Sequence, residues 1–544
     1  MKVYNRISEI TIGMLDILIK NGVVIDGGGN PWFKAEIGIK EGKIVQIGGV
    51  VEPAEEVLNV EGLVVAPGFI DTHSHSDLML MVEPHAKQKI MQGITTEIIG
   101  QDGLGEAPLS DEMVEDWRRY LSGLNGNPDI DWDWRSLSEY LSRLEESKPS
   151  INVASLVGHG NIRRIVMGME NKSPSPSQFE EMKALLNESM LQGAFGLSTG
   201  LIYPPCTYSD SRELVELCKM ASLHKGVFVA HMRDEGDNLL GSVDEVVKIG
   251  CEANIPVHIS HFKVSGERNW GRAGSALQTL YEARRKGVDV TVDQYPYTAG
   301  STFLSSLLPS WVHVGGTRLM LKRLLEKDTR RLVISELISL KRGADWGWSS
   351  VYVTSVKTKM NKRFEGKSLE EVASERKTTP MEALVDLVVE EENEATMVSF
   401  SMSENDVRSI MKSPLTMICT DGILLGKPHP RAYGSFPRVL GKYVKEKVLT
   451  LEEAVKKMTS TPATRFGFLD RGLIRPGMCA DITIFDPEKV ADTATYQDPI
   501  QFPSGIEYVI VNGEITVEKG VHLGTRAGRV LRHVSPKKLN SIDS

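Results

Sequence analysis

The chain has 544 residues, of which 41% are hydrophobic and 25% are charged, so it is long enough for two or three domains with a large core. Its formal net charge of -9 argues against an electrostatic grip on nucleic acid. Because no apolar run approaches the roughly 20 residues that cross a bilayer, we expect neither a nucleic-acid partner nor a membrane partner.

The N-terminal segment lacks the continuous apolar core of a signal peptide, since it alternates polar and apolar residues and carries Glu9 and Asp16 early. The regular pattern begins near Met14, so residues 1–14 are interpreted as a mistaken upstream start. The five cysteines are scattered without CxxC spacing. This pattern favours reduced thiols in the cytoplasm and excludes a structural zinc site made of cysteines.

Residues 15–65 consist of short alternating segments separated by turns. The clearest turn is Gly27–Asn30 (GGGN), and a return strand is expected near Val64. Short apolar segments bounded by glycine and asparagine turns predict a small antiparallel sheet.

From about residue 66 the pattern changes to short β-rich runs that alternate with longer helical segments such as 211–224 and 275–286. This order predicts a parallel sheet with helices outside it, and eight repeats predict a (β/α)8 barrel over residues 66–465. The eight candidate strands are 68–71, 96–100, 153–158, 195–198, 227–230, 257–260, 288–292 and 416–419.

Six of the eight candidate strands end in His or Asp, although chance would scatter the 12 histidines over helices and loops. The carboxyl ends of barrel strands are where active sites lie. His73 and His75 follow the first strand two positions apart, so on an extended chain both imidazoles, with Asp71 beside them, point to one face. Imidazole is a common ligand of divalent transition metals. Taken alone, the pair is equally compatible with a solvated loop.

Two segments interrupt the barrel pattern. Residues 103–150 hold a tryptophan-rich stretch at 131–134 and an amphipathic helix that includes Leu137 and Leu144. Residues 303–412 lie between the seventh and eighth strands and contain several helical patterns. An insert this long is typical of a lid or a substrate-binding element. The alternative is a peripheral subdomain with no part in binding.

The C-terminal part of the chain, residues 466–530, returns to short strands and turns. Tyr508–Gly513 (YVIVNG) resembles Ile17–Gly22 (ILIKNG) near the other end. We therefore predict that both chain ends pair into one small β-sandwich beside the barrel, and that residues 531–544 form a frayed tail.

Several motifs carry a resemblance to known proteins. Gly62–His75 (GLVVAPGFIDTHSH) and RPGMCADITIFDP resemble the amidohydrolase superfamily of metal-dependent barrel hydrolases. Further stretches resemble the N-acyl-D-amino acid deacylases (D-aminoacylases), in the right order over about residues 15–530. They are QGITTEIIG, VASLVGHG, GAFGLSTGLIYPP, AHMRDEGD, HISHFKV, DQYPYTAGST, CTDG and HPRAYGSFPRVLG.

The resemblance implies a zinc site of one or two ions. The ligands that it implies are His73, His75, His231, His261 and Asp421. The family pattern GNCG supplies a further cysteine ligand, but this chain reads Gly100–Gly103 (GQDG), where Asp102 can replace the thiolate with a carboxylate oxygen. Asp-Gly is also a common turn pair, which is the alternative interpretation of Asp102. No lysine follows the fourth strand to bridge two metals, so the number of ions stays open.

The implied reaction is attack of a metal-bound hydroxide on an amide carbonyl, with Asp421 as general base and then general acid. A structural cap beside Gly422 is the alternative role for Asp421. By resemblance, the substrate-binding residues are Tyr203, Lys263, Tyr295, Ser301 and Arg431. Arg431 suits a carboxylate because its planar fork binds bidentately, although Arg431 or Lys263 alone is also compatible with a surface charge.

Three other residues near strand ends are harder to interpret. Arg233 and Glu235 are expected to orient the ligand shell, and His159 receives no role. The leading function is metal-dependent hydrolysis of N-acyl-D-amino acids to a carboxylate and a free D-amino acid. The alternatives are another amidohydrolase reaction, either a hydantoinase-like opening of a cyclic amide or removal of an acyl group from another small amide, and a catalytically dead barrel. The oligomeric state stays open, a homo-oligomer included.

Overall fold

Eight parallel strands build the centre of the molecule. A computed structural model describes residues 13–341 and 347–536, so most of the proposed upstream start, residues 1–12, lies outside the described chain. The strands end within two residues of the ends predicted from the sequence. Their bounds are β1 Phe69–Asp71, β2 Ile94–Ile99, β3 Asn152–Ser155 continued by Val157–Gly158, β4 Gly196–Gly200, β5 Val227–His231, β6 Val257–Ile259, β7 Val290–Gln294 and β8 Thr416–Ile418.

Consecutive strands pair in parallel, for example with Gly196 of β4 opposite Val227 of β5. The ring returns to its start just beyond β8, where the Asp421 amide donates to the His73 carbonyl at 2.9 Å. Ser74 and Gly422 form a parallel bridge at the same place. The predicted (β/α)8 barrel is confirmed.

Helices surround the barrel and bury one apolar face each. Several begin at a capping box, such as Ser175 with Gln178, where Pro176 also occupies the first turn. None of the described helices combines the length and apolar character needed to cross a membrane. The helices outside the insert are Met79–Val82, Lys87–Ile90, Val114–Asn125, Leu137–Ser147, His159–Met167, Pro176–Gln192, Ser211–Leu223, Leu239–Ala253, Ala273–Arg285, Glu404–Lys412, Arg431–Arg438, Leu451–Met458 and Ser460–Phe466.

Both chain ends contribute to a small β-sandwich, as predicted. One sheet contains Leu15–Lys20, Glu36–Lys40, Lys43–Gly48 and Ala54–Asn59. The other contains Val23–Val24, Phe33–Lys34, Val64–Pro67, Ile482–Phe485, Ile506–Val511, Glu514–Glu518 and Val521–His522. Their facing side chains form one apolar core that includes Ile19, Ile37 and Ile510.

The prediction of a purely antiparallel N-terminal sheet was wrong. Leu15–Lys20 pairs in parallel with Ala54–Asn59, and Val23–Val24 pairs in parallel with Val64–Pro67. A hairpin, Glu36–Gly48, occupies the opposite edge of the first strand, so the returning chain reaches the free edge in the same direction. The domain boundaries at residues 65, 465 and 530 stay predictions.

The insert between β7 and β8 has its own core and a three-stranded antiparallel sheet. Its described elements are strands Ala299–Phe303, Val351–Ser355 and Thr396–Phe400 with helices Thr317–Leu325, Lys327–Lys341, Leu369–Arg376 and Pro380–Glu390. The predicted span 303–412 was too long at its end, because helix Glu404–Lys412 packs against Ala273–Arg285 and β8 in the ring of barrel helices.

The predicted frayed tail is anchored over its described part. Val530–Leu531 pairs in parallel with Val153–Ala154 of β3. The His533 ring bonds the carbonyl of His224 at 2.8 Å. Residues 537–544 lie outside the described chain.

Candidate metal centre

Five strand ends deliver six candidate ligands to one place. His73 and His75 follow β1, Asp102 follows β2, His231 closes β5, His261 follows β6, and Asp421 follows β8. All six side chains are buried at the carboxyl end of the barrel. Residues that are up to 348 positions apart in sequence therefore meet because parallel strands end at one rim.

Asp102 lies among the four histidines. Its Oδ1 is 3.6 Å from His73 Nε2 and 3.7 Å from His261 Nε2. Its Oδ2 is 3.7 Å from His75 Nε2 and 3.6 Å from His231 Nδ1. Each oxygen of the carboxylate thus faces a different pair of imidazoles. This arrangement favours the role of a metal ligand over that of a simple turn residue.

Asp421 faces the first two histidines from the other side. Its Oδ1 lies 3.3 Å from His75 Nε2 and 3.7 Å from His73 Nε2. Its Oδ2 forms an ion pair with Arg431 Nη1 at 2.8 Å. Burial raises the pKa of Asp421, but Arg431 and the histidines outweigh this effect and hold the pKa well below its usual range. The carboxylate is therefore ionised at neutral pH.

Three of the six candidate ligands have a left-handed backbone conformation. The φ angles are 57° at Asp102, 49° at Asp421 and 35° at His261. Residues other than glycine rarely adopt positive φ, and such strain persists where the surrounding fold imposes it, often at functional sites. Gly100, just before the Asp102 turn, has no room for a side chain, because a Cβ there would lie 2.4 Å from the Leu156 carbonyl oxygen.

A buried ion network supports the loop after β1. Lys89 Nζ donates to Asp71 Oδ2 at 2.6 Å, to Ser74 Oγ at 2.8 Å and to Thr420 Oγ1 at 2.7 Å. Glu97 Oε2 lies 3.3 Å from the same ammonium group. Sequence reasoning gave no role to Lys89, since one lysine on a short helix carries no spacing signal.

Asp293, at the carboxyl end of β7, positions its neighbours. Its Oδ2 accepts from Thr72 at 2.6 Å and bonds His258 Nε2 at 2.8 Å, and its Oδ1 accepts from the His261 amide. This strand end was identified from the sequence, but Asp293 acts through His261 and does not join the ligand cluster.

The five predicted substrate-binding residues all line a cavity of about 210 Å³ beside the ligand cluster. They are Tyr203, Lys263, Tyr295, Ser301 and Arg431. The Tyr295 hydroxyl is buried and has no hydrogen-bond partner in the described chain. Burial raises the pKa of Tyr295 well above its usual value, so the hydroxyl keeps its proton and can donate into the cavity.

Glu235 reaches the site more closely than the sequence suggested. It lines the cavity, and its Oε1 lies 3.2 Å from His261 Nδ1 and 2.6 Å from Lys263 Nζ. Its predicted neighbour Arg233 instead pairs with Glu245. His159 bonds Thr199 Oγ1 at 3.0 Å and Glu213 Oε1 at 2.8 Å and does not line the cavity.

The cluster fits a divalent cation. Ligand atoms within 4.8 Å of one another occur in three sets, which are His73–His75–Asp421, His73–Asp102–His261 and His231–Glu235–His261. Asp102 Oδ1 and both ring nitrogens of His231 are buried without a hydrogen-bond partner in the described chain. Unpaired buried polar atoms are costly, and a cation at this place would satisfy them. Imidazole and carboxylate are both zinc ligands.

Comparisons with known proteins agree with this geometry. A model of the amidohydrolase family matches residues 56–517. The D-aminoacylase of Alcaligenes xylosoxydans xylosoxydans is 35% identical over 528 residues, which cover 95% of this chain and 97% of that protein. The N-acyl-D-glutamate deacylase of the same organism is 36% identical over 521 residues, which cover 95% of this chain and 96% of that protein.

One solved structure is similar over nearly the whole chain. It is N-acyl-D-glutamate deacylase from Bordetella bronchiseptica, complexed with zinc and a phosphonate inhibitor that mimics the tetrahedral reaction intermediate. Its TM-score is 0.82 at 32% identity, and the match covers 95% of this chain and 100% of that one. As the motifs predicted, the chain belongs to the amidohydrolase family and, within it, to the N-acyl-D-amino acid deacylases.

Proposed function

We propose that this protein is a zinc-dependent hydrolase that cleaves the amide bond of N-acyl-D-amino acids to a carboxylate and a free D-amino acid. The observation that carries the proposal is the convergence of four imidazoles and two carboxylates beside a cavity with unpaired hydrogen-bonding groups. The similarity over 95% of the chain to D-aminoacylase and N-acyl-D-glutamate deacylase supports the same reaction.

The proposed zinc ligands are His73, His75, Asp102, His231, His261 and Asp421, which form overlapping sets for one or two ions. A zinc ion held by these residues would lower the pKa of water from about 15.7 to about 7 and would polarise a carbonyl oxygen. Lys263 Nζ bonds the outer nitrogen of His261 at 2.7 Å, and Glu235 lies 3.2 Å from the same nitrogen, so both residues orient that ring.

Asp421 is the proposed general base and acid. It is ionised at neutral pH, since Arg431 neutralises its second oxygen at 2.8 Å. Its first oxygen faces the histidine cluster, where the attacking water must lie. The carboxylate can take a proton from the attacking water and pass it to the leaving amine, whose nitrogen accepts it when the C–N bond breaks.

The proposed groups for the α-carboxylate of the substrate are Lys263, Tyr295, Ser301 and Arg431, with Tyr203 on the adjoining wall. Arg431 offers a planar fork, and Tyr295 offers a hydroxyl that has no partner inside the described chain. Tyr203 bonds Thr302 through its hydroxyl at 3.0 Å, which holds the ring beside His231.

The proposal is tested by metal analysis together with a substrate panel. The purified protein should contain stoichiometric zinc and should hydrolyse N-acetyl-D-leucine, but neither N-acetyl-L-leucine nor hydantoin. Turnover of hydantoin alone would replace the proposal with a cyclic-amide hydrolase. Absence of both zinc and turnover would favour a catalytically inactive barrel.

A further inference from the structure

The charge on the cavity wall limits which substrate side chains can enter. Apart from the histidines of the metal centre, the cations among its described lining residues are Lys263 and Arg431. Three carboxylates share the same wall, namely Asp102, Glu235 and Asp421. Two of these carboxylates, Asp102 and Asp421, are proposed zinc ligands, so outside the metal centre the wall offers two cations and one carboxylate, Glu235.

Both cations already have internal partners. Arg431 pairs with Asp421 at 2.8 Å and donates to the Ser301 carbonyl at 3.0 Å. Lys263 Nζ is 2.6 Å from Glu235 Oε1 and 2.7 Å from His261 Nδ1. Every substrate of this class carries an α-carboxylate. Lys263 and Arg431 are the cations available to bind it, so neither is left to bind a second carboxylate on the substrate side chain.

The rest of the wall combines the hydroxyls of five serines and Thr302 with a group of apolar side chains. The apolar group comes from the two segments that interrupt the barrel pattern, namely the stretch after β2 and the insert, together with the loop after β4. The residues are Leu104, Leu124, Ile202, Phe303, Leu307 and Met397. Among the hydroxyls, Thr302 is bonded to Tyr203, and Ser265 is bonded to Ser401. A second substrate carboxylate would meet apolar groups and neutral hydroxyls here but no further cation among the described lining residues, and burying a charge without an ionic partner costs several kcal/mol.

We infer that the substrates are N-acyl-D-amino acids with neutral apolar side chains, such as those of leucine and methionine, and that acidic side chains are rejected. This inference rests on the proposed function. It separates two activities that similarity leaves open, because the relatives at 35% and 36% identity are a D-aminoacylase and an N-acyl-D-glutamate deacylase.

The first test compares kcat/KM of the zinc-loaded enzyme for four N-acetyl-D-amino acids: leucine, methionine, glutamine and glutamate. Leucine and methionine should exceed glutamate by about 100-fold or more, a factor that corresponds to an unpaired buried charge. Glutamine, which matches glutamate in shape without its charge, should lie between them. Equal or faster turnover of the glutamate substrate would overturn the inference and leave the deacylase function intact, whereas no turnover of any of the four would remove both.

The second test adds a cation to the apolar wall. Ile202→Lys should raise kcat/KM for N-acetyl-D-glutamate relative to N-acetyl-D-leucine by at least about tenfold, because the new ammonium group can pair with the side-chain carboxylate. Ile202→Met, of similar length but neutral, is the matched control for packing and should leave the ratio within about threefold. An unchanged ratio in the Ile202→Lys enzyme would overturn the inference, since wall charge would then not set the preference.

Discussion

Asp102 stands where the motif that this chain resembles has its cysteine. A carboxylate there, between four imidazoles, would give the proposed metal centre a harder donor than the cysteine of the GNCG pattern. Its φ of 57° and the positive φ angles of Gly100 and Gly103 show that a tight turn follows β2 and directs the carboxylate inward. One residue therefore sets the chemical character of the proposed site.

The effect of Asp102 on metal choice can be measured directly. Asp102→Cys should raise the affinity for zinc relative to manganese by at least about tenfold, because thiolate is the softer ligand. Asp102→Asn should weaken the binding of both metals, since it removes an anionic donor. Chelator competition gives both affinities without reference to activity. Identical zinc-to-manganese ratios in the native protein and Asp102→Cys would show that this side chain is not a ligand.

Asp421 has the second testable role at this scale. We expect Asp421→Asn to retain zinc and to lower kcat by at least about 100-fold, since general base catalysis is typically worth 10²–10⁴. Zinc content and steady-state kinetics check the two parts separately. Asp289→Asn, which alters a carboxylate that pairs with Arg465 at the amino end of β7, is the control for the same chemical change. Near-normal turnover in Asp421→Asn would remove Asp421 from the mechanism.

At the scale of elements, the insert between β7 and β8 combines two tasks. Its helices and three-stranded sheet bury their own apolar core, and Phe303 and Met397 from the same sheet reach the substrate cavity. It is therefore not a peripheral subdomain. Its core also holds a buried histidine, His313, whose Nε2 bonds the Ser305 carbonyl at 3.2 Å.

His313 makes the stability of the insert depend on pH. Burial, with a smaller contribution from Arg323, lowers its pKa from 6.5 to about 4. Below pH 6.5, His313 is therefore protonated in the unfolded chain but still neutral in the folded chain. The free energy of unfolding falls for this reason as the pH drops from 6.5 toward 4. Between pH 8 and pH 4.5 this residue should cost about 2.5 kcal/mol.

Urea unfolding of the native protein and of His313→Gln at both pH values measures this cost. The glutamine keeps a hydrogen-bond donor but does not titrate. The free energy of unfolding of the variant should therefore fall between pH 8 and pH 4.5 by about 2.5 kcal/mol less than that of the native protein. Equal losses in the two proteins would contradict the assignment.

At the scale of the whole molecule, one buried carboxylate joins the sandwich to the barrel. Asp481, within the motif RPGMCADITIFDP, accepts from the Asn512 amide at 2.7 Å and from Asn152 Nδ2 of β3 at 3.1 Å. It also pairs with Arg471, and both side chains are buried. Asp481 therefore gives this motif a structural role at the junction between the sandwich and the barrel, away from the candidate metal centre.

Loss of this junction should destabilise the protein without altering the site. Asp481→Ala removes the buried ionic partner of Arg471 and leaves it only the half-exposed Asp470 at 3.2 Å, so we expect the free energy of unfolding to fall by about 3 kcal/mol. Asp498→Ala, an exposed position in the same part of the chain, should change it by no more than about 0.5 kcal/mol. Denaturant titration measures both. A loss below about 1 kcal/mol in Asp481→Ala would show that the junction does not depend on this residue.

The sequence by itself determined the barrel, its strand ends and the residues that meet there. Periodicity identifies β1–β8, and polar residues at the ends of buried parallel strands must share one rim. His73, His231, His261 and Asp421 were identifiable for that reason, although their contacts span the chain. The pairing of the two chain ends could also be predicted, from the likeness between YVIVNG and ILIKNG.

The tertiary structure alone decided what depends on packing between distant segments. Lys89 beneath the site, the anchored strand Val530–Leu531 and the parallel pairing of Leu15–Lys20 have no periodic or spacing signal in the sequence. The apolar wall of the cavity is similar, because Leu124 and Met397 come from different insertions and meet only after the chain has folded. A local sequence pattern indicates which face of a helix or strand is buried. It does not indicate which distant segment of the chain packs against that face.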